Sequence, residues 1–273
     1  MGWIQGIQFL RVRLNLACRE AAQNHCQKIY QCVSCRAEFT PDYPKQETDV
    51  RSNPKQVSAE HAITFVKDGM LVGLGTGSTA SLVVRKLGEL QLAIRGIPSS
   101  EATRALAEEV GIQLTDFSEG TKIDLAIDGA DEVDSGFNMT KGGGGALLRE
   151  KIILSASQLK VIVVDEGKLK TELGDFPLPV EVVPFGWQLV RDRLEPRGQV
   201  SIRMDGEGSF ITDGGHYILD CEFGRIEDPP GLEREILCIP GVVECGLFVG
   251  LADRVVIGHD DGTVETRSRS QEP

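Results

Sequence analysis

From residue 55 onward, short apolar runs alternate with amphipathic segments, and most of the apolar runs end in a glycine-rich or acidic turn. No other property of the chain restricts its fold as much. Residues 55–67 set Val57, Ala59, Ala62, Ile63 and Val66 at helical spacing, and Asp68-Gly69 closes that helix. Residues 70–74 (Met-Leu-Val-Gly-Leu) have the length and composition of a buried strand. The same reading predicts helices over 80–90, 101–110 and 146–155, and strands over 92–97, 112–114, 123–127 and 160–164. Strands joined by helical crossovers pair in parallel, and the helices cover both faces of the sheet. The predicted class is therefore α/β, a Rossmann-like parallel sheet with helices on both faces. In such sheets ligands bind beyond the carboxyl ends of the strands, so the turns there are the places to look for chemistry.

The rhythm changes after Leu178-Pro179. Strands over 180–183, 199–204, 217–223 and 242–249, with helices over 185–194 and 232–239, give the order βαββαβ of a ferredoxin-like α+β domain. Residues 254–258 and 263–266, joined by Asp260-Asp261-Gly262, read as a hairpin that rejoins the first sheet. The expected organisation is a main α/β domain over 51–178 and 251–267, a smaller domain over 179–250 inserted near the C-terminus, and a tail over 268–273.

The first 50 residues differ from the rest. Up to Gln46 they hold six basic residues (Arg11, Arg13, Arg19, Lys28, Arg36, Lys45) against three acidic ones (Glu20, Glu38, Asp42). Four of the seven cysteines, Cys18, Cys26, Cys32 and Cys35, also lie here, and Thr40-Pro41-Asp42-Tyr43-Pro44 reads as a linker. A zinc site on Cys32, Cys35, His25 and Cys26 would lack a second short-spaced ligand pair. A targeting peptide fits the basic charge but not the scarcity of serine. The reading kept is a poorly ordered extension, or sequence upstream of the true start, since no methionine lies between Met1 and Met70. Cys221, Cys238 and Cys245 sit singly in apolar surroundings and read as core packing. A net charge of −12 argues against general nucleic-acid binding. No apolar run approaches the ~20 residues of a bilayer crossing. The expectation is an acidic cytoplasmic protein with neither nucleic acid nor membrane as partner.

Four loops carry residue types that could do chemistry. Gly73-Leu74-Gly75-Thr76-Gly77-Ser78-Thr79-Ala80 offers backbone N–H groups, a helix N-terminus and hydroxyls to an anion, though a merely tight turn has the same sequence. It lacks the lysine of a P-loop, and Pro98-Ser99-Ser100 stands where a dinucleotide site needs an acid. Asp128-Gly129-Ala130-Asp131-Glu132-Val133-Asp134 gathers carboxylates that repel one another unless a metal, a cation or sugar hydroxyls separate them. A solvated capping turn is the plain alternative. Lys141 and Gly142 to Gly145 supply a cation and a backbone open to close approach, and Glu150 follows in the helix they open. A surface glutamate paired with lysines would read the same. Asp165-Glu166-Gly167-Lys168 places Lys168 at another strand end, where lysines are more often solvated.

In this order GLGTGSTA, DGADEVD, KGGGGALLREK and FPLPVEV make the chain from about residue 55 to 266 resemble ribose-5-phosphate isomerases of the A type. The resemblance implies interconversion of ribose 5-phosphate and ribulose 5-phosphate, in the non-oxidative pentose phosphate pathway, without metal or cofactor. It implies Glu150 as the base that moves a proton between C2 and C1 through an enediol(ate), with Asp128, Asp131 and Lys141 holding the sugar's oxygens. It implies a phosphate pocket of Thr76, Gly77, Ser78 and Thr79 with Lys55 and Lys168, and further substrate contacts from Gly129, Ala130, Gly142, Gly143 and Gly144. The domain over 179–250 would be a lid or dimerisation domain of a homodimer.

Other functions compete. One rival is a related sugar-phosphate isomerase or deaminase on the same fold; the deaminase would want a general-base histidine, but His25, His61, His216 and His259 lie outside the four motifs. A sugar-phosphate sensor without catalysis would be expected to lose Glu150 or Lys141, and both are present. A metal-dependent isomerase would use the acidic turn and would lose activity in excess EDTA.

Overall fold

The computed structural model describes residues 53–269. The readings made on residues 1–50, cysteines and linker included, lie outside the described residues, as does the end of the tail.

Asn53 opens α1 (Pro54–Ala62) by accepting from the Lys55 N–H, and Pro54 takes the first position, where a missing N–H costs nothing. The helix continues only as a 3-10 turn over Ile63–Phe65, shorter than its apolar spacing suggests. β1 (Leu71–Leu74) is buried along its length and leads into α2 (Ser78–Leu90). β2 (Arg95–Pro98) is followed by α3 (Glu101–Glu109), whose first turn is capped by Ser100, and by β3 (Gln113–Leu114). β4 (Ile123–Gly129), β5 (Glu132–Val133), β6 (Met139–Thr140), α4 (Leu147–Ser155) and β7 (Ser157–Asp165) come next. Beyond them run β8 (Leu178–Val182), α5 (Trp187–Leu194), β9 (Gln199–Ile202) and a small ribbon, β10 (Met204–Asp205) with β11 (Gly208–Ser209). β12 (Tyr217–Glu222), α6 (Pro229–Leu237), β13 (Val242–Cys245), β14 (Leu247–Phe248), β15 (Arg254–Gly258) and β16 (Val264–Ser268) complete the described chain.

The main sheet has the order β16-β15-β7-β4-β1-β2-β3. All its pairs are parallel except the β15–β16 hairpin, which rejoins it beside β7 as expected. The strand order reverses between β1 and β4, the point at which such sheets leave a crevice for ligands. Alternation along the strands buries both faces. Leu125, Ile127, Val161 and Val163 pack with Ala59, Val83 and Ala107 of the first three helices, while Ala126, Ile162 and Val164 pack with Leu147 and Ile153 of α4. The second sheet is antiparallel in the order β13-β8-β12-β9, and with α5 and α6 it realises the βαββαβ pattern over a core of its own.

Three further expectations need correction. The strand expected over 199–204 ends at Ile202, and Met204 belongs to the β10–β11 ribbon. Residues 242–249 are not one strand. Gly246 breaks it because its N–H donates to Pro179 O, and a Cβ there would fall on Lys141 O. The chain turns from β13 into β14, which pairs with β6, itself paired with β5. Cys221 and Cys245 are buried in the second core, but Cys238 is exposed, because it caps the solvent end of α6. Among the described residues no helix is long and apolar enough to cross a membrane.

Candidate active site

The carboxyl ends of β1 and β4 open onto a cavity bounded also by the glycine loop before α4 and the turn after β7. It is lined by Lys55, Thr76, Gly77, Ser78, Thr79, Gly129, Ala130, Asp131, Lys141, Gly142, Gly143, Gly144, Glu150, Val164 and Lys168. All of the expected site is here except Asp128, which is buried in contact with Lys141; Val164 is the one lining residue the sequence did not single out. His61, His216 and His259 do not line it, although His259 Nδ1 lies 2.6 Å from Glu166 of the fourth loop.

One end of the cavity suits an anion. Gly77 has φ +113° with open space where a Cβ would stand, so glycine is required there by conformation rather than room. Gly75 is the opposite case, since its Cβ would fall on the Asp128 carboxylate. The first turn of α2 begins with Ser81 N–H on Gly77 O, which leaves the preceding N–H groups without intrahelical acceptors. Lys55 Nζ lies 3.0 Å from Ser78 Oγ. Neither Lys55 nor Lys168 is paired with a carboxylate among the described residues. Thr76 contributes less than its sequence suggests. Its hydroxyl is turned into a buried cluster, 2.7 Å from Ser99 Oγ, 2.8 Å from Ser100 Oγ and 2.9 Å from Thr103 Oγ1, and its N–H donates to Asp128.

The other end is a buried carboxylate–ammonium–carboxylate cluster. Lys141 Nζ donates to Gly129 O at 2.7 Å and stands 3.1 Å from both Asp128 Oδ2 and Glu150 Oε2. The side chains of Lys141, Asp128 and Glu150 are only 3%, 4% and 6% exposed. Asp128 also accepts from the N–H groups of Gly129 and Thr76, whereas Glu150 Oε2 has the ion-pair contact with Lys141 but no aligned hydrogen bond. Burial raises both carboxyls. For Asp128 the Lys141 charge and two backbone donors oppose the shift, but for Glu150 the Asp128 charge adds to it, and its pKa is pushed up to about 8. Burial would lower Lys141, but the two carboxylates outweigh it and hold the ammonium above its ordinary range.

The rest of the acidic turn disperses. Asp131 Oδ2 accepts from the Gly143 N–H at 2.9 Å, and Asp134 closes its own turn on Asn138. Glu132 is buried, its carboxylate accepting from the N–H groups of Gly174, Asp175 and Phe176. A glutamine there offers one acceptor and turns an N–H₂ toward an N–H, so Glu132→Gln is expected to lose roughly 2–3 kcal/mol of stability. Urea unfolding with an unchanged midpoint would show that this carboxylate does not anchor the loop. A separate group that could hold a metal, Glu233, Glu244 and Cys245, already surrounds an ammonium: Lys151 Nζ is 2.9 Å from Glu233 and 2.7 Å from Glu244. Sequence reasoning also missed Arg203, which reaches from beside β9 to donate to Gly142 O at 2.8 Å and Gly143 O at 3.2 Å.

The N-terminus of α2, two lysines and a buried carboxyl thus share one cavity at the switch point of a parallel sheet, where α/β enzymes hold their ligands. The chain belongs to the ribose 5-phosphate isomerase A family. The sequence model of that family, described as ribose 5-phosphate isomerase A (phosphoriboisomerase A), matches residues 95–262. The ribose-5-phosphate isomerase A of Gloeobacter violaceus is 52% identical over 225 residues, which covers 80% of this chain and 97% of that protein. That of Ruegeria pomeroyi is 48% identical over 229 residues, covering 80% of this chain and 87% of that one. Among solved structures, ribose 5-phosphate isomerase A from Methanocaldococcus jannaschii matches with a TM-score of 0.74 at 42% identity, over 79% of this chain and 98% of that chain. A D-ribose-5-phosphate isomerase in complex with phospho-erythronic acid matches with a TM-score of 0.76 at 39% identity, over the same shares of the two chains.

Proposed function

We propose that this protein interconverts D-ribose 5-phosphate and D-ribulose 5-phosphate, with Glu150 as the base. The observation that carries the reading is that one cavity joins Lys55 and Lys168, which meet no carboxylate among the described residues, and the α2 N-terminus to the Lys141–Glu150 pair. The phosphate dianion occupies the first end and the open-chain aldehyde the second. Glu150 takes the C2 proton, and the electron pair of that bond forms the C1–C2 double bond of an enediolate whose charge falls on O1. Lys141 stabilises that charge. The same carboxyl returns the proton to C1 while one hydroxyl proton passes from O2 to O1, so the ketose leaves with Glu150 ionised again. Asp131 lines the cavity and, with Oδ2 held by the Gly143 N–H, takes a sugar hydroxyl on its other oxygen during ring opening. Asp128 supports Lys141, since its oxygens are already committed to Lys141 and two N–H groups. A carboxyl with a pKa of about 8 is matched to proton transfer near neutral pH, and kcat/KM should rise as pH climbs through that value.

The same reading makes the protein a cytoplasmic homodimer of the non-oxidative pentose phosphate pathway, with residues 179–250 as lid or dimer contact. Phe185, 94% exposed, and Leu189, 69% exposed, support a contact there.

The experiment is a coupled assay of ribose 5-phosphate conversion by the purified protein and its Lys168→Ala variant. Loss of one cation from the cradle should lower kcat/KM by about one to two decades through KM, since a hydrogen bond to a charged group contributes roughly 1.5–3 kcal/mol. Any conversion of unphosphorylated ribose should stay unchanged. Equal losses on both sugars would mean that Lys168 shapes the site without binding phosphate, and no conversion by the wild type would end the reading.

A further inference from the structure

Four consecutive glycines separate Lys141 from the helix that carries Glu150, and such a segment has no side chains with which to lock itself. Gly142 and Gly145 take φ values of +106° and +80°, and the only hydrogen bond internal to the turn is Gly145 N–H on Gly142 O, at 3.0 Å. Its order must come from outside, and the largest external contribution is one arginine. Arg203 Nη1 donates to the carbonyls of Gly142 and Gly143, while its Nε and Nη2 edge grips both oxygens of Asp220 on β12. The pair is mostly buried, with 15% of the arginine side chain and 23% of the aspartate exposed. The backbone beneath it is fixed, because Arg203 N–H donates to Ile218 O and Arg203 O accepts from Phe210 N–H. The Phe210 ring beside the guanidinium closes the loop from the same side, standing where a Gly145 Cβ would be.

We propose that Arg203, held by Asp220, is a positioning residue for this site, orienting the Gly142–Gly143 and Gly143–Gly144 peptides. The proposal rests on the isomerase reading for its effect on rate. In a trans peptide the N–H points opposite to the preceding C=O. Drawing Gly142 O and Gly143 O toward Arg203 therefore turns the next two N–H groups to the other side. That of Gly143 meets Asp131, and that of Gly144, a cavity-lining residue, has no acceptor among the described residues. The Gly144 N–H is thereby presented to a substrate oxygen between Lys141 and Glu150. Only a planar fork can hold two carbonyls and a carboxylate together, so lysine is no substitute.

Because Arg203→Ala alone strands a mostly buried carboxylate, the test uses Arg203→Ala combined with Asp220→Asn, beside Asp220→Asn and Arg203→Lys. Kinetics with ribose 5-phosphate, competition by inorganic phosphate, melting temperature and amide hydrogen exchange of the loop glycines are measured on each. The double variant should lose roughly 10- to 100-fold in kcat, as for reacting groups displaced by about an ångström. Inhibition by phosphate should stay within two-fold, because the cradle on α2 is untouched. Arg203→Lys should regain the melting temperature but not the rate, and Gly143 should lose exchange protection in the double variant. A double variant with wild-type kcat, or phosphate inhibition weakened in step with kcat, would overturn the proposal. If the wild type fails to isomerise the sugar, the isomerase reading falls alone, and unchanged exchange at Gly143 would then overturn the clamp by itself.

Discussion

Glu150→Gln is expected to lower kcat for ribose 5-phosphate by about 10²-fold or more, while inorganic phosphate still competes within a few-fold of its wild-type strength. The amide keeps the shape of the side chain and cannot accept the C2 proton. The proposed phosphate cradle is made by α2, Lys55 and Lys168, and no hydrogen bond or ion pair among the described residues joins them to Glu150. The substitution also has a signature in stability. Burial and the Asp128 charge raise Glu150 to about 8 in the folded protein, above its unfolded value, so the folded state binds the proton more tightly. The stability gained from this is fully present below the ordinary carboxylate range and is lost as pH rises through about 8. Glutamine is neutral at every pH. The variant's melting temperature should therefore fall less than that of the wild type between about pH 5 and pH 8, the span between the unfolded and folded values. Turnover above a tenth of wild type would remove Glu150 from the role of base, and parallel melting curves across pH would remove the raised carboxyl.

What was legible in the sequence follows from where the information lies. The order of strands and helices comes from local periodicity, and the four loops stand out because glycine, lysine and carboxylates at strand ends are local signals too. That reading reached the lining residues of the four loops; Lys55 came only from the family resemblance, and Val164 presents itself as one more apolar residue of its strand. The direction of side chains was not legible. Thr76 offers a hydroxyl in sequence, yet Ser99, Ser100 and Thr103, brought alongside only when β1 and β2 pair, draw it away from the cavity. Glu132 sits inside an acidic motif but anchors backbone some forty residues further on. Arg203 meets glycines about sixty residues earlier, and nothing within residues 199–204 distinguishes it from any other arginine at the end of a strand. The break at Gly246 likewise depends on Pro179 and Lys141, two partners from distant parts of the chain.

Lys141→Met should be the most damaging single change in the site, and its effect on stability should depend on pH. Methionine nearly matches the length of the stem and removes all three donors, which leaves Gly129 O without this donor and two buried carboxyls with no cation between them. Breaking a buried pair in this way costs about 3–5 kcal/mol when the stranded groups stay charged. Asp128 and Glu150 can escape part of that penalty by taking up protons, because losing Lys141 removes a charge that lowers both their pKa values. The folded variant then binds more protons than its unfolded chain over a wider range than the wild type does, so its stability declines further with rising pH. The destabilisation should be small near pH 5 and approach the full figure near pH 9, as measured by urea unfolding at both. Activity should fall by about 10²- to 10³-fold even where the fold survives, the usual cost of removing a group that meets developing negative charge. Adding Glu150→Gln should restore part of the stability lost at high pH and none of the activity, since one of the two stranded charges is gone. A destabilisation that is the same at both pH values, or a double variant no more stable than Lys141→Met alone, would mean that Lys141 is not the cation holding these two carboxyls together.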